Sequence, residues 1–244
     1  MKPEIARQQL EASAGGGAGP VYESISGSYF LLRRGLAGLA FLFPIALWLL
    51  AGPEHLQRSI SAYYHFHHVP DGGTSLPGTG AMRDLFVGVL WAIGAFLFFY
   101  KGYSKKEDWA LDVAGIAAIL IALFPMDWPA EAGTFTNTVH FASAVTFFLA
   151  IAYVCLFRPG DTLELLKDAE RRRWFKRAYG LLGTLMVVLP LSLFALHLLA
   201  DPLDLLAEDA DETYVVLAVE WAAIWVFSVY WFVKSREIAL IERQ

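Results

Sequence analysis

The chain has 244 residues, 57% of them hydrophobic and only 18% charged, with 24 acidic and 19 basic side chains and a net charge of −5. A soluble domain carries nearer a quarter of charged residues, so the composition excludes an ordinary water-soluble fold. The single cysteine, Cys155, excludes an intramolecular disulfide.

Residues 1–28 are polar and contain the run Gly15-Gly16-Gly17-Ala18-Gly19. They show no basic-then-apolar leader pattern and are expected to form a flexible tail. The apolar residues that follow come in blocks at 36–51, 85–100, 111–126, 141–157, 178–200 and 214–233, each nearly free of charge. Crossing a hydrocarbon core of about 30 Å takes roughly 20 helical residues. Unpaired backbone groups are too costly in lipid for any other form. The pattern predicts an all-α polytopic bundle of six transmembrane helices at about 31–51, 84–101, 109–126, 137–157, 178–200 and 213–233. These lie in one domain over 29–234, with a short tail over 235–244. Pro44 and Pro190 are expected to bend the first and fifth helices, and Cys155 to be a small residue facing lipid or a helix.

The loops alternate in sign. Lys2, Arg7, Arg33 and Arg34 precede the first helix, and Lys101, Lys105 and Lys106 follow the second. Seven bases from Arg158 to Arg177 follow the fourth, and Lys234, Arg236 and Arg243 follow the sixth. The loop at 127–137 has no base, and the loop at 201–212 carries six acids and no base. Basic loops stay in the cytoplasm, which predicts both termini on the cytoplasmic side. Within the basic loop, Asp161-Thr162-Leu163-Glu164 reads as a capping box. It would open a short surface helix that turns Leu163, Leu166, Ala169 and Trp174 toward the membrane.

This orientation gathers the chemistry-bearing residues on the outer side. Ser59, Ser61, His65, His67 and His68 lie in the first loop; Asp84 starts helix two and Asp127 ends helix three. His140 lies near the outer start of helix four and His197 near the outer end of helix five. Glu220 sits about 10 Å into helix six, without a charged neighbour in sequence. A carboxylate in a membrane usually faces the bundle interior or a cavity. On the inner side, Asp112 is the only acid that looks buried.

A helical first loop puts Ser61 and His65 on one face; an extended one pairs His65 with His67. Either way two imidazoles could share a metal with Asp84, Asp127, His140 or Glu220 as a third ligand, and zinc is the ion that such a set suits. The same residues also suit an ordinary membrane–water interface or hydrogen bonds between helices. No P-loop, dinucleotide fingerprint, metal-protease helix or nucleophile elbow is present.

Several segments carry a resemblance. Ser28-Tyr29 with Arg33-Arg34, Ser59-Ile60-Ser61-Ala62-Tyr63-Tyr64-His65, Arg83-Asp84-Leu85-Phe86-Val87-Gly88, Tyr100-Lys101-Gly102-Tyr103, Leu123-Phe124-Pro125, Val139-His140-Phe141 and Glu220-Trp221 together resemble an uncharacterised bacterial family of six-span membrane proteins. The layout is also similar to the GPI-lipid-remodelling and DRAM-type group. Ser61 with His65 and a later Asp84 is similar to the alkaline ceramidases and adiponectin-receptor-like hydrolases. In those hydrolases Ser, Asp and three histidines surround zinc. They differ in having seven spans and a His-x-x-x-His pair in the last, where this chain has Glu220.

The first expectation is therefore a membrane protein of lipid hydrolysis or remodelling. Ser61, His65, Asp84 and Glu220 are its catalytic candidates, and His65, Asp84, His140 and Glu220 its metal ligands, with zinc as the cofactor. The alternatives are a transporter, channel or small-ligand sensor built on a Glu–His site, and a non-catalytic structural membrane protein. Membrane lipids are the expected partners and nucleic acid is not; a homo-oligomer is compatible with the sequence.

Overall fold

A computed structural model of the chain describes residues 18–66, 80–127, 134–203 and 214–244. His67, His68, Trp128, the acids between 204 and 212 and the side chain of His197 lie outside what it describes. Among the described residues the secondary structure is helical, with no strand. Six long helices follow in order: α1 (Ala18–Ala51), α2 (Ala81–Phe99), α3 (Lys105–Leu123), α4 (Phe135–Phe157), α5 (Ala169–Leu203) and α6 (Val215–Glu242). A 3-10 turn at Ser61–His65 lies between α1 and α2, and a single helical turn at Gly160–Leu163 precedes α5.

Local chemistry explains most of the boundaries. Gly52, with φ +96°, ends α1 in a conformation that other residues rarely adopt. Ser104 caps α3 by accepting from Glu107 N–H at 3.2 Å, and Thr134 caps α4 by accepting from Asn137 N–H at 3.1 Å. Pro125 stands two residues beyond the end of α3, because the residue before a proline is pushed out of helical geometry.

Three helices run past the apolar blocks that predict them. α1 starts at Ala18 rather than near residue 31, α5 at Ala169 rather than 178, and α6 continues to Glu242 rather than 233. The extra turns are rich in Glu, Arg, Lys and Ser, and their one proline, Pro20, stands in the first turn of α1, where its missing N–H is not needed, so nothing stops the helix where the apolar run stops. The extensions meet: Ser26 of α1 donates to the Glu242 carboxylate of α6 at 3.0 Å. The basic loop also departs from expectation. Leu163 and Leu166 are buried in the bundle rather than facing lipid, whereas Ala169 and Trp174 are exposed. Asp161 bonds Arg158 and Ser104 instead of acting as a cap.

Each helix packs against its neighbours in sequence, and α6 packs back on α1, closing a ring. At the crossing of α2 and α3 a Cβ on Gly115 would stand 2.6 Å from the Gly94 carbonyl oxygen. The two backbones meet there because neither residue has a side chain. The middle of the ring is filled by Leu47, Phe86, Leu97, Phe147, Ile151 and Phe227, all buried.

Among the described residues, four helices are long and apolar enough to cross a membrane: Glu23–Ala51, Ala81–Phe99, Phe135–Leu163 and Val215–Glu242. In α3 the charged first turn, Lys105 to Asp108, together with Asp112 lowers the average over a span-length window.

Candidate functional site

One end of the bundle collects the end of α1, the 3-10 turn, the end of α3 and the starts of α4 and α6. Glu220 is held one to two turns inside α6 and reaches the first loop. Its Oε2 accepts from Ile60 N–H at 2.6 Å and from Ser59 Oγ at 2.8 Å. Ser59 Oγ in turn accepts from Ser61 N–H at 3.1 Å. The carboxylate therefore anchors the three residues that lead into the 3-10 turn.

That anchoring aims Ser61 at His140. Ser61 Oγ lies 3.0 Å from His140 Nε2, and His140 Nδ1 lies 2.9 Å from the Phe124 carbonyl oxygen. A carbonyl oxygen only accepts, so Nδ1 carries the proton and donates it to Phe124. Nε2 is then the acceptor, and Ser61 donates to it. Both partners are buried. The end of α3 supplies the orienting carbonyl because the helix stops at Leu123, which leaves the oxygens of 124–126 free for side chains. His65 uses the same segment: its Nε2 donates to the Met126 carbonyl oxygen at 2.6 Å.

Ser61, His65, His140 and Glu220 are thus brought to one end of the bundle. Asp84 is not part of this cluster. Its carboxylate bonds the neighbouring Arg83 at 3.2 Å, and its side chain is 70% exposed. Asp127 accepts from Thr134, which ties the end of α3 to the start of α4. Among the described residues no three His, Cys, Asp or Glu side chains stand close enough to share a metal ion. The ring nitrogens explain this: His65 Nε2 and His140 Nδ1 point at carbonyl oxygens, and His140 Nε2 points at a hydroxyl. The zinc set of His65, Asp84, His140 and Glu220 does not fit this arrangement.

The opposite end holds a second polar cluster that the sequence reading missed. Lys234, Glu237, Glu107 and Arg33 are all nearly fully buried there. Lys234 Nζ donates to Thr162 Oγ1 at 2.6 Å and pairs with Glu237 Oε2 at 3.3 Å. It also lies over the rings of Tyr103 and Tyr179, at 5.4 and 5.6 Å. Tyr179 donates to Glu237, Glu107 accepts from Tyr103 N–H at 2.8 Å, and Arg33 Nη1 donates to Tyr103 Oη at 3.4 Å. Asp112, the acid expected to be buried, is only half-buried. The spacings Ser104-x-x-Glu107 and Lys234-x-x-Glu237 were the available signals, a capping box and an i,i+3 ion pair.

About 21 Å of helix separates Glu220 from Lys234. Between them α6 presents Phe227 to the core, and Ser228, whose hydroxyl donates to the Ala37 carbonyl oxygen at 2.7 Å. No chain of ionisable side chains joins the two ends among the described residues.

A family profile matches residues 35–235, most of the chain. The chain belongs to the family described as "Protein of unknown function (DUF998)". The match spans both polar clusters except for Arg33 and Glu237, which flank it. No curated protein and no solved structure matches the chain. The similarity to lipid-remodelling, DRAM-type and ceramidase-like proteins therefore has no support from these comparisons. What stands is an uncharacterised family with apolar helices of membrane-crossing length.

Proposed function

We propose that this DUF998 member is a six-span enzyme of a bacterial inner membrane, with both termini in the cytoplasm, that opens an ester or amide of a membrane lipid. Ser61 is the nucleophile and His140 the base. The observation that carries this reading is the Ser61 Oγ–His140 Nε2 contact at 3.0 Å, with the other ring nitrogen held by the Phe124 carbonyl. A nucleophile on a base that a third group orients is the arrangement that activates a hydroxyl.

Ser61 Oγ attacks the lipid carbonyl carbon while its proton passes to His140 Nε2. The imidazolium keeps its Nδ1–H on Phe124, then returns the Nε2 proton to the leaving oxygen or nitrogen as the bond to the carbonyl carbon breaks. A water loses its proton to Nε2 as it attacks the acyl-serine, and Nε2 passes that proton to Ser61 Oγ as the acid departs. Glu220 and Ser59 are positioning residues: they hold the loop so that Ser61 faces the ring. His65 fixes the 3-10 turn to the end of α3. Asp84 stands at the rim of this end with Arg83.

Six spans account for the sign alternation of the loops, and the clustering of Lys and Arg around the Lys234 end supports a cytoplasmic position for that end. The Ser61 site then faces outward, and the lipid bilayer itself is the partner and source of substrate.

The test is active-site labelling of the full chain in lipid nanodiscs with a small fluorophosphonate. Label on the peptide bearing Ser61, lost in both Ser61→Ala and His140→Ala and kept in Ser192→Ala, an exposed serine of α5, is the expected result. An unlabelled Ser61 in a folded native chain rejects the reading. The three contacts made around Glu220 and Ser59 favour a second reading, a tie between helices without chemistry. It predicts no label, with a loss of thermal stability in the same variants.

A further inference from the structure

A shallow apolar groove runs along the seam of α3 and α4. It has a volume of about 270 Å³, and its walls include Ile116, Ala117 and Leu120 from α3 and Val139, Ala142 and Ser143 from α4. The spacing on each helix, i, i+3, i+4 for one and the matching face of the other, makes two stripes that face each other across the seam. The small side chains of Ala117, Ala142 and Ser143 open the groove where larger residues would fill it. Farther along, Thr146 spends its hydroxyl on its own helix, donating to the Ala142 carbonyl oxygen at 2.7 Å, so the groove stays apolar.

Its position is what gives it meaning. Val139 and Ser143 flank His140 on α4. Leu120 is one turn before Phe124, whose carbonyl oxygen orients the His140 ring. One turn beyond Leu120 and Val139 the rings of Phe124 and Phe135 meet edge to face at 5.9 Å, which forms an aromatic rim between the groove and the bundle end. From that rim the groove extends roughly 10 Å along the helices, away from the polar cluster and into the apolar part of α4, a helix of membrane-crossing length. Ile116 and Ala142 are exposed at its edges, so it opens to the lipid side and not to the filled centre of the ring.

Resting on the reading of Ser61 and His140 as a catalytic pair, we infer that this groove seats one acyl chain of the substrate and brings its carbonyl to the outer end of α4. The occupant is a lipid chain because the groove faces the region where acyl chains are the solvent. Its narrow apolar form admits one chain and offers nothing to a charged headgroup. The substrate class is accordingly an acyl ester or amide of a long-chain lipid, recognised by its tail.

The experiment has two arms, both on the full chain in phosphatidylethanolamine nanodiscs. In the first, a trace of phosphatidylethanolamine with a diazirine in one acyl chain is photolysed and the cross-linked peptides are mapped. Cross-links should concentrate on 113–120 and 139–146 over the lipid-facing surface of α1 and α6. Ala142→Trp should reduce them by about tenfold, the scale at which filling an apolar pocket discriminates between occupants. Leu149→Trp, an exposed control on the same helix, should not. Cross-links spread evenly over all helices, cross-links to a second copy of the chain in place of lipid, or an unchanged yield in Ala142→Trp would overturn the groove.

In the second arm, Ser61 is labelled with an ethyl and a hexadecyl fluorophosphonate. Ala142→Trp should slow labelling by the long probe by about tenfold and leave the short one unchanged. Equal slowing of both probes refutes tail recognition. If the short probe fails on native Ser61, the catalytic pair itself falls, and the first arm still reports whether the groove holds lipid.

Discussion

Glu220, on the last helix, accepts the backbone N–H of Ile60 at 2.6 Å across 160 positions of sequence. The contact ties the loop after α1 to the helix that closes the ring. It also sets the register in which Ser61 meets His140.

Removing that acceptor should loosen the loop more than it loosens the bundle. Glu220→Ala leaves the Ile60 N–H without its acceptor, at about 1–3 kcal/mol when buried, and leaves the Ser59 hydroxyl only the weak Met126 sulfur, at 3.8 Å, to donate to. A lower melting temperature in detergent, together with loss of fluorophosphonate labelling at Ser61, is expected. Glu220→Gln keeps an acceptor oxygen in place and should lose less on both measures. An alanine variant as stable as the native chain would show that the loop does not depend on this contact.

The Lys234–Glu237 pair makes a sharper case, because both side chains are almost without exposure. Breaking one partner of such a pair leaves an uncompensated buried charge, at about 3–5 kcal/mol. Lys234→Met and Glu237→Gln should each lower stability strongly. The double variant should recover part of the loss, because neither member of the pair is left as a lone charge beside the other's empty place. A thermal or denaturant series on the four proteins measures this directly; additive losses in the double variant would mean that the two groups act independently.

Helix contact between α2 and α3 depends on the absence of side chains at two positions. A Cβ on Gly94 would meet the Gly115 carbonyl oxygen at 2.8 Å, and one on Gly115 the Gly94 carbonyl oxygen at 2.6 Å. Gly115→Val should therefore force the helices apart and reduce folded yield. Gly88→Ala, which has nothing within 4 Å, should be neutral or slightly stabilising, since alanine is the better helix former. Size-exclusion profiles and melting curves of the two variants test the contrast.

Asp168 should make the start of α5 sensitive to acid. The backbone N–H groups of Arg171 and Glu170, at 3.2 and 2.9 Å, hold its carboxyl below the ordinary value of 3.8. A depressed carboxyl contributes stability that is present above its unfolded value and is lost as pH falls through the folded one. Amide exchange in the first turn of α5, taken relative to the intrinsic rate at each pH, should thus be flat through neutral and mildly acidic pH and rise only below the ordinary carboxylate range. Asp168→Asn keeps the acceptor without the titration and should remove that rise.

The sequence by itself determined the helical class, the apolar stretches, the stops and several caps. These rest on local properties: a run of apolar residues, a proline at 125, Ser104 and Thr134 ahead of their helices. It also separated the two ends by charge, and it named Ser61, His65, His140 and Glu220 as residues of one end. It could not say that Asp84 would turn aside to Arg83 or that His140 would spend one nitrogen on a carbonyl. Nor could it place Glu107 and Glu237, rather than Asp112, inside the bundle. Those outcomes depend on how each helix is rotated about its axis, and rotation is decided by the neighbours it packs against. Glycines 94 and 115 set one such contact, and closure of α6 on α1 sets another. Only the tertiary structure brings segments 79 to 160 residues apart into contact. Whether a buried polar group is satisfied depends on a partner that sequence proximity does not supply.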